Sequence, residues 1–146
     1  MISKSIQDTE NIAKSFLDKV LKNKKPREGA LVICLSGELG AGKTAFTKIV
    51  SKVLGIKHKV NSPTFVVMKK YSIGKTYGVK FLLHFDAYRL NNGAELLSLG
   101  WEEMIKDKNN LIIIEWPENV KDIIPHDALY INILSDENGV RNFEFK

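Results

Sequence analysis

Between Leu31 and Val50 the chain reads LVICLSGELGAGKTAFTKIV, in which Gly37, Gly42, Lys43 and Thr44 stand at the phosphate-loop spacing G-x-x-x-x-G-K-[ST]. Glycines at 37, 40 and 42 permit positive φ and close backbone approach, so the amides of a loop that includes Glu38, Leu39 and Ala41 can converge on one anion. The helix expected after the loop adds unpaired N–H groups and a positive dipole end. In this register the Lys43 ammonium reaches β and γ phosphates and the Thr44 hydroxyl ligates Mg²⁺. A turn that merely joined strand to helix would need neither side chain.

Two acids are spaced to complete such a site. Asp86 ends FLLHFD and Glu115 ends LIIIE, each where an apolar strand would emerge at the ligand face of an open sheet. One can ligate Mg²⁺ while the other orients or deprotonates an attacking water, and the spacing leaves open which does which. His84 shares a strand face with Asp86, which suits either a hydrogen-bonded core histidine or one that orients Asp86. Ser62 and Thr64, in the loop VNSPTF, can approach a γ-phosphate as switch loops do. Arg89 suits a phosphate, a partner's acid or a surface ion pair.

Positioning these groups requires strands that end at one edge. Ala30 to Leu35 and Leu111 to Glu115 are continuous apolar runs, the pattern of parallel strands covered on both faces. A helix capped by Asp8 or Thr9 is expected to bury Ile12, Ala13, Phe16, Val20 and Leu21 and to end near Asn23 to Pro26. A second helix runs from Lys43 to Leu54 with Gly55 as its left-handed terminator. Phe65 to Tyr71 and Val79 to Asp86 read as an antiparallel hairpin turning around Ile73 to Gly78, Ala94 to Lys106 as two short helices broken at Gly100, and Tyr130 to Leu134 with Val140 to Phe145 as a closing pair. The fold class is α/β: a P-loop NTPase-like, mostly parallel central sheet flanked by helices, with antiparallel hairpin strands.

At 146 residues one domain spanning 1–146 is expected. Hydrophobic residues at 44% and charged residues at 27% exclude a disordered chain, and the longest apolar run is far short of the ~20 residues of a membrane helix, so a cytoplasmic protein is expected. Cys34 is the single cysteine, which rules out an internal disulfide and points to a buried thiol. The net charge of +5 is mostly lysine, densest over Lys14, Lys19, Lys22, Lys24, Lys25 and Arg27. No aromatics interleave with these, so autonomous nucleic-acid binding is not predicted.

Four motifs coincide: GELGAGKT at 37–44, NSPTF at 61–65, HFDAYRL at 84–90 and EWPE at 115–118. In their order and spacing the chain resembles the bacterial TsaE family, the ATPase component of tRNA threonylcarbamoyladenosine biosynthesis. The resemblance implies ATP/ADP and Mg²⁺ as ligands, TsaD and TsaB as partners in attaching the threonylcarbamoyl group to adenosine 37 of ANN-decoding tRNAs, and contact with tRNA only through that complex. It places Thr44 and Glu115 at Mg²⁺, Asp86 as the strand-end acid, Ser62 to Phe65 as the switch-like loop, and Trp116 beside the nucleotide. It also sets the segment Ile6 to Thr9 and the hairpin near Arg141 about the base or ribose. Two readings follow: a slow ATPase activated by its partners, or a nucleotide-gated docking module with little hydrolysis of its own. A small-molecule kinase would need an acceptor pocket and an arginine-rich lid, and the only arginines are Arg27, Arg89 and Arg141.

Overall fold

The computed structural model describes residues 1–22, 26–74 and 77–146. Lys24 and Lys25 of the expected basic run, 23–25 of the span Asn23 to Pro26 where the first helix is expected to end, and 75–76 of the expected turn lie outside the described residues.

The elements follow in the order β1 (Ile2–Ser3), α1 (Ile6–Leu21), β2 (Leu31–Ser36), α2 (Lys43–Val53), β3 (Met68–Ser72), β4 (Phe81–Asp86), α3 (Ala94–Ser98), α4 (Trp101–Lys106), β5 (Asn110–Glu115), a 3-10 turn (Pro117–Val120), β6 (Leu129–Ser135) and β7 (Arg141–Phe145). They build one seven-stranded sheet of order β1-β7-β6-β2-β5-β4-β3. The four middle strands are parallel, and the two at the centre, β2 and β5, carry the unbroken apolar runs of strands covered on both faces, whereas β7 and β3 run antiparallel to β6 and β4. Helices α1 and α2 cover one face, where Leu17, Phe46 and Val50 meet Ile33, Leu82, Ile113 and Ile131. On the other, Leu96, Trp101 and Val120 meet Cys34, Phe85, Ile112 and Ile114.

Beyond single-residue shifts at element ends and a first helix that ends at Leu21, short of Asn23 to Pro26, three boundaries differ from the sequence expectation. The N-cap of α1 is Ser5, in extended conformation at φ −148°, not Asp8 or Thr9. Its hydroxyl accepts from the Asp8 amide at 3.1 Å while the Asp8 carboxylate accepts from the Lys4 amide at 2.9 Å, so Asp8 serves the cap from the first turn. Thr9 is buried against the Ser3 hydroxyl at 2.7 Å. The first hairpin strand begins at Met68 rather than Phe65, because the Val66 amide closes a turn on the Pro63 carbonyl and Val67 takes φ 66°. A β-branched residue at positive φ costs about 1–3 kcal/mol and cannot continue a ladder. Its partner starts at Phe81 rather than Val79, and Val79 is buried. The two helices divided at Gly100, at φ 92°, and the terminator Gly55, at φ 71°, are as the sequence suggests.

Cys34 is sealed between β5 and β6, and burial pushes its thiol up to about 12. At pH 8 the thiolate would be ~1 part in 10⁴. Iodoacetamide at that pH is therefore expected to leave the folded chain unmodified and to label it fully in denaturant, as intact mass would show. Labelling at equal rates in both states would refute the buried placement.

Candidate phosphate-binding site

Strands β2, β4 and β5 end together at one edge, and there the loop 37–42 leaves β2 for α2. Gly42 is the N-cap of α2 at φ 107°, and no side chain caps the helix, so its first-turn N–H groups carry no side-chain acceptor. Gly37 takes φ 142° with its α-carbon so close to β6 that a β-carbon would meet the Ile133 carbonyl oxygen at 2.4 Å. At Gly42 a β-carbon would meet Arg141 Nε at 2.7 Å, so the β7 arginine lies directly against the loop. Only glycine permits both the conformation and the approach.

Beside the loop is a cavity of about 480 Å³, lined by Leu39, Gly40, Gly42, Lys43, Thr44 and Ala45 from the loop and helix, and by Ser62, Thr64, Asp86, Tyr88, Glu115, Trp116 and Arg141 from facing segments. Gly37, Glu38 and Ala41 do not line it. Ala41 is buried under the loop, and Gly37 and Glu38 turn their carbonyls to Lys43. Ile6 to Thr9 forms the first turn of α1 and does not line it either, so of the two segments expected about the base or ribose only Arg141 reaches the cavity.

Lys43 is 5% exposed, and its Nζ donates to Gly37 O at 2.6 Å and Glu38 O at 2.9 Å and lies 4.0 Å from the Trp116 ring centre. Burial holds its pKa below the ordinary lysine value, against the pull of Glu115, Glu118 and Asp86. An ammonium has three donors and two are used, leaving one for an incoming anion. Trp116 reaches this place because the chain turns at φ 59° directly after Glu115, and its ring also packs on Tyr88 with centroids 5.0 Å apart.

The two acids are neighbours across β4 and β5, Asp86 opposite Glu115, yet hold different partners. Thr44 Oγ1 lies 3.0 Å from each Glu115 oxygen, and His84 Nε2 lies 2.7 Å from Oε1. His84 is thus the hydrogen-bonded buried histidine of the first of the two sequence readings, and its bond goes to Glu115 on the neighbouring strand rather than to Asp86 on its own. Asp86 Oδ2 accepts from Thr64 Oγ1 at 2.6 Å and Ser62 Oγ at 3.2 Å, and Oδ1 from the Tyr88 amide at 2.9 Å. The loop carrying Ser62 and Thr64 is thus tied to Asp86. Beyond it Phe65 is 85% exposed with the Arg89 guanidinium 4.7 Å from its ring centre, a contact neither a phosphate nor an ion pair.

Among the described residues no group of three or more His, Cys, Asp or Glu side chains could hold a metal ion alone. The donor set nonetheless fits Mg²⁺, a hard ion that keeps waters and takes few protein oxygens alongside substrate phosphates. Thr44 donates its hydrogen to Glu115 and so offers only oxygen lone pairs elsewhere, as a hydroxyl ligand must, and Asp86 adds a second carboxylate. Tyr88 and Ala45 also line the cavity, positions that the spacing of the loop and of the two acids does not mark.

The family model described as "Threonylcarbamoyl adenosine biosynthesis protein TsaE" matches residues 3–143. The tRNA threonylcarbamoyladenosine biosynthesis protein TsaE of Rickettsia prowazekii (strain Madrid E) is 33% identical over 138 residues, covering 94% of this chain and 87% of the relative. The protein of the same name from Bacillus subtilis (strain 168) is 37% identical over 114 residues, covering 78% and 68%. Among solved structures, one described as the crystal structure of Bacillus subtilus YdiB superposes with a TM-score of 0.74 at 28% identity, covering 99% of this chain and 82% of that one.

Proposed function

Because the chain belongs to the TsaE family of threonylcarbamoyl adenosine biosynthesis proteins, we propose that it is the ATP-binding and ATP-hydrolysing subunit of that tRNA modification, working in the cytoplasm with TsaD and TsaB and meeting tRNA through them. The observation that carries the reading is the convergence of Lys43, Thr44 and Glu115 on one cavity at the free end of α2. Phosphate oxygens would meet the loop amides and the open donor of Lys43, which offset charge as it develops on the β and γ groups. Thr44 and Glu115 would hold Mg²⁺, which neutralises phosphate charge when bound. Asp86, with its hold on Ser62 and Thr64, is the acid placed to orient water, and Trp116 would flank the nucleotide. Arg141, lying on Gly42, adds a positive charge beside the loop.

Turnover by the chain alone is expected to be slow, because Asp86 is already engaged by two hydroxyls and an amide. Phosphate release from Mg²⁺-ATP, measured alone and with TsaD and TsaB, tests this: partners should raise a low basal rate. Fast turnover that ignores them would refute the activation.

The Asp86 link to a loop bearing an exposed phenylalanine supports a second reading, in which nucleotide occupancy mainly gates docking. Glu115→Ala separates the two. A variant that still binds ATP and docks, yet fails to support repeated tRNA modification, makes hydrolysis the function; one that supports it normally makes the chain a nucleotide-gated docking module.

A further inference from the structure

We propose that His84 is a positioning residue that fixes the Glu115 carboxylate beside Thr44, and that divalent-cation binding at this cavity depends on it; the inference rests on the Mg²⁺-nucleotide reading above. His84 is fully buried and Glu115 is 2% exposed. A carboxylate so far from water must find donors or leave, since burying an unpaired charge is among the costliest events in folding. Glu115 has two: the Thr44 hydroxyl, near both oxygens, and the imidazole on Oε1. Both carboxylate oxygens already accept from Thr44, so the ring meets an acceptor and Nε2 is the nitrogen that donates.

The other ring nitrogen shows that His84 is more than a core filler. Nδ1 is buried and has no hydrogen-bond partner among the described residues. His84 stands opposite Ile113 in the register of β4 on β5. A leucine would fill such a place without leaving a polar atom unpaired. Histidine has one advantage here: a donor that reaches across to β5. With Oε1 held by the ring, the carboxylate is restrained from rotating, and among the described residues Oε2 has no donor besides the shared Thr44 hydroxyl. A pre-oriented oxygen beside a hydroxyl is what a small, geometrically strict cation needs.

The test uses the full chain saturated with ADP and titrated with Mn²⁺ as a paramagnetic probe, comparing the parent with His84→Leu and His84→Gln, whose amide N–H can stand in for Nε2–H. Leucine is expected to weaken Mn²⁺ binding by about 10- to 100-fold, with ADP affinity in EDTA unchanged, while glutamine stays within about threefold of the parent. Equal Mn²⁺ affinity in the parent and His84→Leu overturns the proposal, as does a glutamine variant that falls as far as leucine, which would make ring shape and not the donor decisive. Should His84→Leu fail to fold, the nucleotide-free parent decides: its Nε2 proton should give a slowly exchanging downfield NMR resonance that is lost in Glu115→Ala, and the lack of that resonance overturns the proposal. A parent that releases no phosphate but whose Mn²⁺ affinity still falls in His84→Leu refutes hydrolysis and sustains the positioning role. A parent that binds no Mn²⁺ overturns both.

Discussion

Lys43→Ala is expected to lower Mg²⁺-dependent phosphate release by at least about 100-fold, with the melting temperature shifted by only a few degrees. One preorganised donor aimed at developing charge is typically worth about 10²–10³ in rate, and Lys43 adds a full positive charge in a buried setting. Its removal frees the Gly37 and Glu38 carbonyls of the ammonium, and the space it vacates joins a cavity that water can enter. The fold's cost is therefore small next to the chemistry's. Phosphate release and a thermal melt on the same preparation check both halves, and a variant that kept a tenth of the parent's rate would contradict the assignment.

Trp101→Ala is expected to produce the largest loss of stability, about 3–5 kcal/mol, or about 10 °C in melting temperature. The indole is 1% exposed, packs edge-on against Phe85 with centroids 5.2 Å apart, and donates from Nε1 to the Ile123 carbonyl at 3.1 Å. Truncation opens a cavity behind β4 and leaves that carbonyl unpaired. Because β4 also carries His84 and Asp86, Mg²⁺-dependent phosphate release should fall along with stability. A chemical melt gives the free energy, and a loss under 1 kcal/mol would mean that the site collapses without cost.

The parts readable from sequence were those set by local chemistry. Gly37, Gly42, Lys43 and Thr44 announce the loop because their spacing has few other uses, and the buried runs ending at Asp86 and Glu115 announce the strands that carry the acids. Gly55 and Gly100 mark helix ends because their backbone conformations suit no other residue as well. What escaped was set by tertiary neighbours. SIQDTE offers several capping candidates, and in the fold Ser5 caps the helix while Thr9 packs against Ser3. FVVMKKY has strand chemistry throughout, yet Pro63 and Val67 turn its first residues out of the sheet. The two-residue β1 is too short for any periodic signal. Spacing along one strand put His84 on the face of Asp86, but the contact with Glu115 depends on which strand lies beside it, and sequence periodicity carries no such information.

The left-handed turn at Trp116 gives the protein its own optical probe. Of its two indoles, Trp101 is sealed in the core and supplies a constant emission, whereas Trp116 lies over the Lys43 ammonium at the cavity wall. Whatever draws that ammonium away from the ring alters the polarity one chromophore senses and leaves the other unchanged, so site occupancy can be followed in the unlabelled chain as a change in intrinsic fluorescence.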